Sequence, residues 1–267
     1  MAQKSLFKID PNSTEKVKSK QHAMQLTEDL NKKIYDLLYL MFAHDKYSLL
    51  VIMHGIDTSG KDGAVRHIFS AANPQGLTVH SFKQPTPEEQ RHDFLWRCHR
   101  HTPESGRTAI FNRSYYEEVT TVAVHPELIK NQHIPSRLND QKNFFKKRYE
   151  HINNFEKLLT DKGTVVVKLF FHISKDEQKE RFKDRLQDPT RNWKFSQADI
   201  TERKFWDKYM QVFDKMLRKT STDHAPWHVI PANNKWYRNY LISKILFDEL
   251  RLLKMSFPKN KHKVSSI

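Results

Sequence analysis

Five consecutive apolar residues, Leu49-Leu50-Val51-Ile52-Met53, run almost directly into the stretch GIDTSGKDG, Gly55 to Gly63. A short continuous apolar run without alternation is the pattern of a strand buried on both faces, as in a parallel sheet. Beyond Lys61, the apolar residues Ala64, Val65, Ile68 and Phe69 mark a helix, and Asn73-Pro74-Gln75-Gly76 ends it with turn chemistry. Strand, glycine turn and helix in this order point to an α/β fold whose functional residues gather at the carboxyl edge of the sheet.

The alternation continues along the chain. Met24, Leu26, Leu30, Ile34, Leu37, Leu38 and Met41 predict an amphipathic helix over about 14–42. Strands are expected at 77–82, 107–111, 164–172 and 227–230, and helices at 88–101, 140–159, 175–186, 197–219 and 236–253. These elements predict a parallel five-stranded sheet covered by helices on both faces. No linker rich in Gly, Ser or Pro interrupts the 267 residues, so one domain over 1–267 is expected, with a basic tail at about 258–267.

The glycine turn matches the phosphate-cradling pattern G-x-x-x-x-G-K-[ST] at Gly55, Gly60 and Lys61, except that Asp62 stands where a hydroxyl is usual. Backbone N–H groups from Ser59 through Gly63, at a helix N-terminus, can surround a phosphate, with Thr58 in the same turn and Lys61 as a point charge. Asp57 and Asp62 flank the turn. Two hard oxygen donors beside phosphate make a Mg2+ site, with Mn2+ as the substitute ion; the alternative for Asp62 is a first-turn carboxylate favoured by the helix dipole.

The residues just after the strands complete the candidate set: Lys83, then Asn112, Arg113 and Tyr116, and, on the helix after the fourth strand, Arg181 and Arg185. Arg181 and Arg185 share one helix face. They precede the helix stop Asp188-Pro189, so 185–200 reads either as a lid over a phosphoryl-transfer centre or as a solvated basic face.

Forty-six Lys and Arg against 31 Asp and Glu, a formal charge of +15, favour a polyanionic partner: nucleic acid, an anionic membrane or a phosphate-rich substrate. No nucleic-acid motif, zinc-ligand pattern or membrane-length apolar stretch is present. A single cysteine, Cys98, excludes an intrachain disulfide, and with no signal-peptide pattern a cytoplasmic protein is expected. The 15 histidines are expected at the surface or hydrogen-bonded, and the tryptophans in the core.

GIDTSGKDG, NPQG, SFKQPT, HDFLWR, FNRSYYE and DPTRNWKFSQADI, in this order and spacing, resemble the second family of polyphosphate kinases. The resemblance extends to WHVIPANNKWYRN, across nearly the whole chain. It implies a P-loop kinase fold like that of thymidylate kinase, with a helical lid. It also implies Mg2+-dependent, reversible phosphoryl transfer between inorganic polyphosphate and nucleotides, AMP to ADP to ATP, with guanine counterparts GMP and GDP. On this sequence Asp57, Lys61 and Arg113 match the family's metal and phosphate residues, and Arg185 its lid arginine. Asp62 and Asn112 are similar to the class III members, which accept nucleoside mono- and diphosphates. A homo-oligomer is implied as well. Two other readings stand beside this one: an ATP-dependent nucleoside monophosphate kinase and a nucleic-acid-binding P-loop protein.

Overall fold

A computed structural model of the protein describes residues 5–15, 17, 19–138 and 141–260. The first helix, α1 (Lys20–His44), begins later than its apolar spacing suggests. Ser19 caps it by accepting the His22 N–H at 3.1 Å, and Asp45, in the left-handed region, ends it. The strand β1 (Ser48–His54) is buried at every position. The glycine turn and α2 (Lys61–Phe69) follow, then β2 (Leu77–Ser81).

Where one helix was expected over 88–101, two short ones form, α3 (Pro87–Gln90) and α4 (Trp96–His99). Asp93 is the reason. Its carboxylate accepts the Leu95 and Trp96 N–H groups at 2.9 and 3.2 Å, a local turn that competes with the helix. The chain continues through β3 (Thr108–Asn112), α5 (Thr121–Val124), α6 (Gln141–Asp161), β4 (Thr164–His172) and α7 (Lys175–Gln187).

The helix expected over 197–219 also divides, into α8 (Gln197–Arg203) and α9 (Trp206–Thr220). Phe205 leaves the helical region at ψ 11°. The two pieces have different surroundings: α8 buries no residue, whereas α9 buries a face that includes Trp206, Met210, Phe213 and Leu217. The strand β5 (Trp227–Pro231) and the helix α10 (Lys235–Leu252) close the fold. Residues 261–267 of the expected tail lie outside the described residues.

The five strands are all parallel, in the order β2-β3-β1-β4-β5. α1, α2 and α10 pack together on one face, and α6 and α9 on the other. From β1 the chain passes outward to β2, and from β3 it crosses β1 to β4. The crevice between the ends of β1 and β3, where Met53 pairs with Asn112, is therefore the place for a ligand. No described helix is long and apolar enough to cross a membrane.

One charged group lies inside the sheet packing. Lys168, at the centre of β4, is fully buried and donates to Glu156 Oε2 at 2.6 Å, to the Tyr116 hydroxyl at 2.9 Å and to the Thr220 carbonyl at 2.6 Å. Glu156 Oε1 accepts the hydroxyls of Tyr115 and Tyr116 at 2.9 and 2.7 Å.

Candidate active site

The glycine turn takes its shape from two positions where no side chain fits. A Cβ on Gly55 (φ 143°) would fall 2.7 Å from the Phe171 carbonyl oxygen, and one on Gly60 (φ 100°) would fall 2.1 Å from Arg238 Nη1. Gly60 is the N-cap of α2, so the first N–H groups of that helix open onto a cavity of about 750 Å3.

Of the residues expected from the sequence, Asp57, Thr58, Gly60, Lys61, Asp62 and Gly63 line this cavity from the turn. Lys83, Asn112 and Arg113 line it from β2 and β3, and Arg181 and Arg185 from α7. Lys61 is buried and donates to the Gly55 carbonyl at 2.8 Å, the Ile56 carbonyl at 3.1 Å and Ser59 Oγ at 3.3 Å. Burial and, next, the Arg113 guanidinium push its pKa down to about 8, against the pull of Asp57, Glu117 and Asp62.

Arg113 adopts a left-handed φ of 64° directly after β3 and bonds the Asp57 carboxylate. Glu117, ahead of Asp57, keeps this guanidinium firmly protonated. Burial opposes the ionisation of Glu117 itself, but Arg113, His54, the Thr121 hydroxyl and Lys61 together hold it below the usual carboxylate range. Asp62 accepts Asn112 Nδ2 at 2.6 Å, and Lys194 Nζ lies 3.5 Å from its other oxygen. Burial opposes its ionisation too; Asn112, Lys194 and Lys61 lower its pKa. The 185–200 segment thus reaches over the turn, and Arg185 within it lies 3.6 Å from Asp199.

Four expected binding residues have other work. Tyr116 is fully buried, its hydroxyl donated to Glu156, because its ring packs against Trp227 behind the site. Ser59 is buried as well; its N–H is donated to the Ile56 carbonyl at 3.2 Å, so the phosphate-facing amides begin after it. Gly55 supplies only the turn and an acceptor for Lys61. Arg181 faces the cavity, but all five of its N–H donors have acceptors: Glu177, the carbonyls of Thr58 and Ser59, and those of Ala232 and Asn233. It ties the turn to the end of β5, and any phosphate feels its charge without receiving its hydrogen bonds.

The sequence reading missed Arg66, Lys194, Asp199, Lys235 and Arg238, all on the cavity. Lys194 and Asp199 lie inside a quoted motif. Lys235 and Arg238 lie inside WHVIPANNKWYRN, where nothing in the spacing shows that a remote helix brings Arg238 to the turn. Among the described residues, no group of three or more His, Cys, Asp and Glu side chains could hold a metal ion by itself. Mg2+ is commonly bound by one or two carboxylates completed by phosphate and water, and Asp57 and Asp62 on one cavity fit that requirement.

His54, the last residue of β1, is buried beneath the site. Its Nδ1 lies 3.7 Å from Glu117 and its Nε2 3.3 Å from Thr120 Oγ1. Burial pushes its pKa down to about 4, with Glu117 opposing. The unfolded chain binds this proton near pH 6.5 and the folded chain only near 4, so stability is full above the first value and falls as pH drops towards the second. The loss attributable to His54 is on the order of 3 kcal/mol. Denaturant titrations of wild type and His54→Gln between these pH values are expected to show a shallower acid loss in the variant; equal slopes would remove His54 from the account.

A family model described as Polyphosphate kinase 2 matches residues 15–258. The chain is 43% identical to the ADP-polyphosphate phosphotransferase of Rhodopseudomonas palustris, over 94% of this chain and 86% of that protein. It is 42% identical to the AMP/ADP-polyphosphate phosphotransferase of Meiothermus ruber, over 95% of this chain and 91% of that protein. The crystal structure of polyphosphate kinase 2 from Arthrobacter aurescens superposes with a TM-score of 0.90 at 38% identity, covering 98% of this chain and 90% of that one.

Proposed function

The chain belongs to the polyphosphate kinase 2 family, and we propose that it transfers the terminal phosphoryl group of inorganic polyphosphate to AMP and ADP, and to their guanine counterparts. The supporting observation is the charge of the cavity: ten Lys and Arg side chains line it against four Asp. A flexible polyanion needs counter-charge spread along its path, which such a lining supplies.

In the transfer, a phosphate oxygen of the acceptor nucleotide forms the new P–O bond as the bond to the bridging oxygen of the polymer breaks, leaving the polymer one phosphate shorter. The acceptor oxygen is already ionised, so positioning and charge stabilisation supply the rate and no general base is needed. The α2 amides and Lys61 hold the reacting phosphoryl. Arg113, fixed by Asp57 and Glu117, faces the charge that develops on it. Lys83 and Asn112 border the acceptor side, and Arg185 and Lys194 bring positive charge from the lid and exclude water as it closes. Asp57 and Asp62 would hold Mg2+, which supplies charge neutralisation across the phosphates when bound.

Purified chain incubated with AMP or ADP, Mg2+ and polyphosphate, without ATP, is expected to make ATP. Failure there, with ready phosphorylation of AMP by ATP, would replace this reading with a nucleoside monophosphate kinase. Asp62→Ser is expected to raise the Mg2+ concentration needed for half-maximal rate by about tenfold, the loss of one charged contact. An unchanged Mg2+ titration would return Asp62 to a helix-dipole role. Self-association through α1 or α10 belongs to the same proposal and is tested by sedimentation.

A further inference from the structure

Ahead of α1, residues 5–13 run past the carboxyl ends of β4 and β5 as a strap anchored at both ends. At the first anchor Leu6 is buried, and Ser5 Oγ and the Leu6 N–H both donate to Asp214 Oδ1 on α9, at 2.9 and 2.8 Å. Midway, the Ile9 carbonyl accepts His172 Nε2, at the end of β4, at 3.1 Å. At the second anchor the Pro11 carbonyl accepts the Asn233 N–H at 3.2 Å, Asn12 Oδ1 accepts Asn233 Nδ2 at 2.8 Å, and the Asn12 carbonyl accepts Asn234 Nδ2 at 3.0 Å. Leu6 is the one buried residue of the strap, so polar contacts alone fix its far end.

Asn233 connects this end to the active site, and each of its polar atoms is engaged. Its Oδ1 accepts the Ser174 N–H at 3.0 Å, which fixes the amide so that Nδ2 faces Asn12 and Ser174 Oγ, the latter at 3.2 Å; its carbonyl accepts Arg181 Nη2, also at 3.2 Å. Ser174 in turn caps α7 by accepting the Glu177 N–H at 3.1 Å. The first two turns of α7 then carry both the glycine turn and the lid. Arg181 donates to the Thr58 and Ser59 carbonyls, and Gln178 Nε2 to the Asp57 carbonyl at 3.3 Å. Arg203 of α8 donates back to the Lys175 carbonyl at 2.8 Å and to Gln178 Oε1 at 2.9 Å. A shift at the start of α7 therefore moves Asp57 and α8 together.

We propose that the strap, through Asn12 and Asn233, sets where α7 stands against the glycine turn, and that these two asparagines are positioning residues for phosphoryl transfer. Neither lines the cavity, so their effect passes through Ser174, Gln178 and Arg181. The proposal rests on the polyphosphate reading of the site. Misplacing groups that act only as charge develops lowers kcat and leaves ground-state binding intact, which separates this role from a binding one.

The test uses Asn12, an exposed residue whose loss leaves the core intact. Asn12→Ala is expected to lower kcat about fivefold, the loss of one hydrogen bond, with the KM for ADP and for polyphosphate and the thermal transition unchanged. Asn12→Asp, which keeps the oxygen that accepts Asn233 Nδ2, is expected to retain the wild-type kcat. Leu6→Ala loosens the strap at its other anchor and is expected to lower kcat in the same way below its own transition temperature. Hydrogen exchange gives a readout without turnover: the Ser174 and Glu177 amides are expected to exchange faster in Asn12→Ala and as in wild type in Asn12→Asp. A wild-type kcat in Asn12→Ala or in Leu6→Ala, a change confined to KM, an equal loss in Asn12→Asp, or unaltered exchange overturns the proposal. A wild-type chain inactive with polyphosphate would sink the functional reading, while the exchange measurement still decides whether the strap holds α7.

Discussion

Replacing Lys61 with methionine is expected to lower kcat/KM with polyphosphate and ADP by about 100-fold or more, the usual cost of removing one preorganised charge from a phosphoryl-transfer centre. Methionine keeps most of the aliphatic stem, which is buried, so packing around the turn is largely preserved. What disappears is an ammonium held by two carbonyls and Ser59 Oγ at the point where the α2 amides converge. The same group predicts a pH profile. With its pKa pushed down to about 8, Lys61 in the free protein is charged below that pH and neutral above it, so kcat/KM is expected to fall as pH rises through about 8. Bound phosphate favours the charged form, so the corresponding fall in kcat is displaced to higher pH. Activity of Lys61→Met within a few-fold of wild type, with an unchanged thermal transition, would take the lysine out of the mechanism.

The parts of this site legible in the sequence are those built by neighbours in the chain. The run 49–53, the spacing of Gly55, Gly60 and Lys61, and the apolar positions after them specify strand, turn and helix locally. The order of the motifs brings Lys83, Asn112 and Arg113 to the same edge, since parallel strands put their carboxyl ends together. What sequence spacing does not carry is how each donor is used. Arg181 and Arg185 read alike on one helix face, yet Arg181 is consumed by carbonyls from the turn and from the end of β5, while Arg185 meets Asp199 on α8. Tyr116 stands three residues after Arg113, as a ligand could. The short helical turn there rotates it under the sheet, to an acceptor 40 residues away. Asp93 looks like an ordinary helix-surface residue until its side chain takes two backbone N–H groups and divides the helix. Each difference comes from a polar side chain choosing between local backbone and distant partners, which apolar periodicity does not report.

That buried acceptor, Glu156, carries the largest stability effect expected in the molecule. Glu156→Leu removes the partner of a fully buried lysine and, among the described residues, the acceptor of the Tyr115 hydroxyl, so one change orphans a charge and a phenol together. Stranding one member of a buried ion pair costs about 3–5 kcal/mol. Burial and then Glu156 hold both tyrosines well above their ordinary pKa, and the burial remains when Glu156 is gone, which disfavours a phenolate in place of the lost carboxylate. The Lys168 ammonium, whose pKa burial already lowers against the pull of Glu156, is left with the Tyr116 hydroxyl and the Thr220 carbonyl. Urea unfolding at neutral pH measures the loss, and Lys168→Met and the double variant complete a cycle. The two single costs are expected to exceed the double-variant cost by more than about 1 kcal/mol when added, since each single change strands the partner that the other also removes. The consequence reaches the active site, because Tyr115 and Tyr116 anchor the turn that holds Arg113 in its left-handed conformation. Glu156→Leu is therefore expected to lower kcat even at temperatures where the variant is fully folded. A destabilisation below about 1 kcal/mol, or additive costs in the cycle, would show that the buried pair neither holds the fold together nor fixes the catalytic turn.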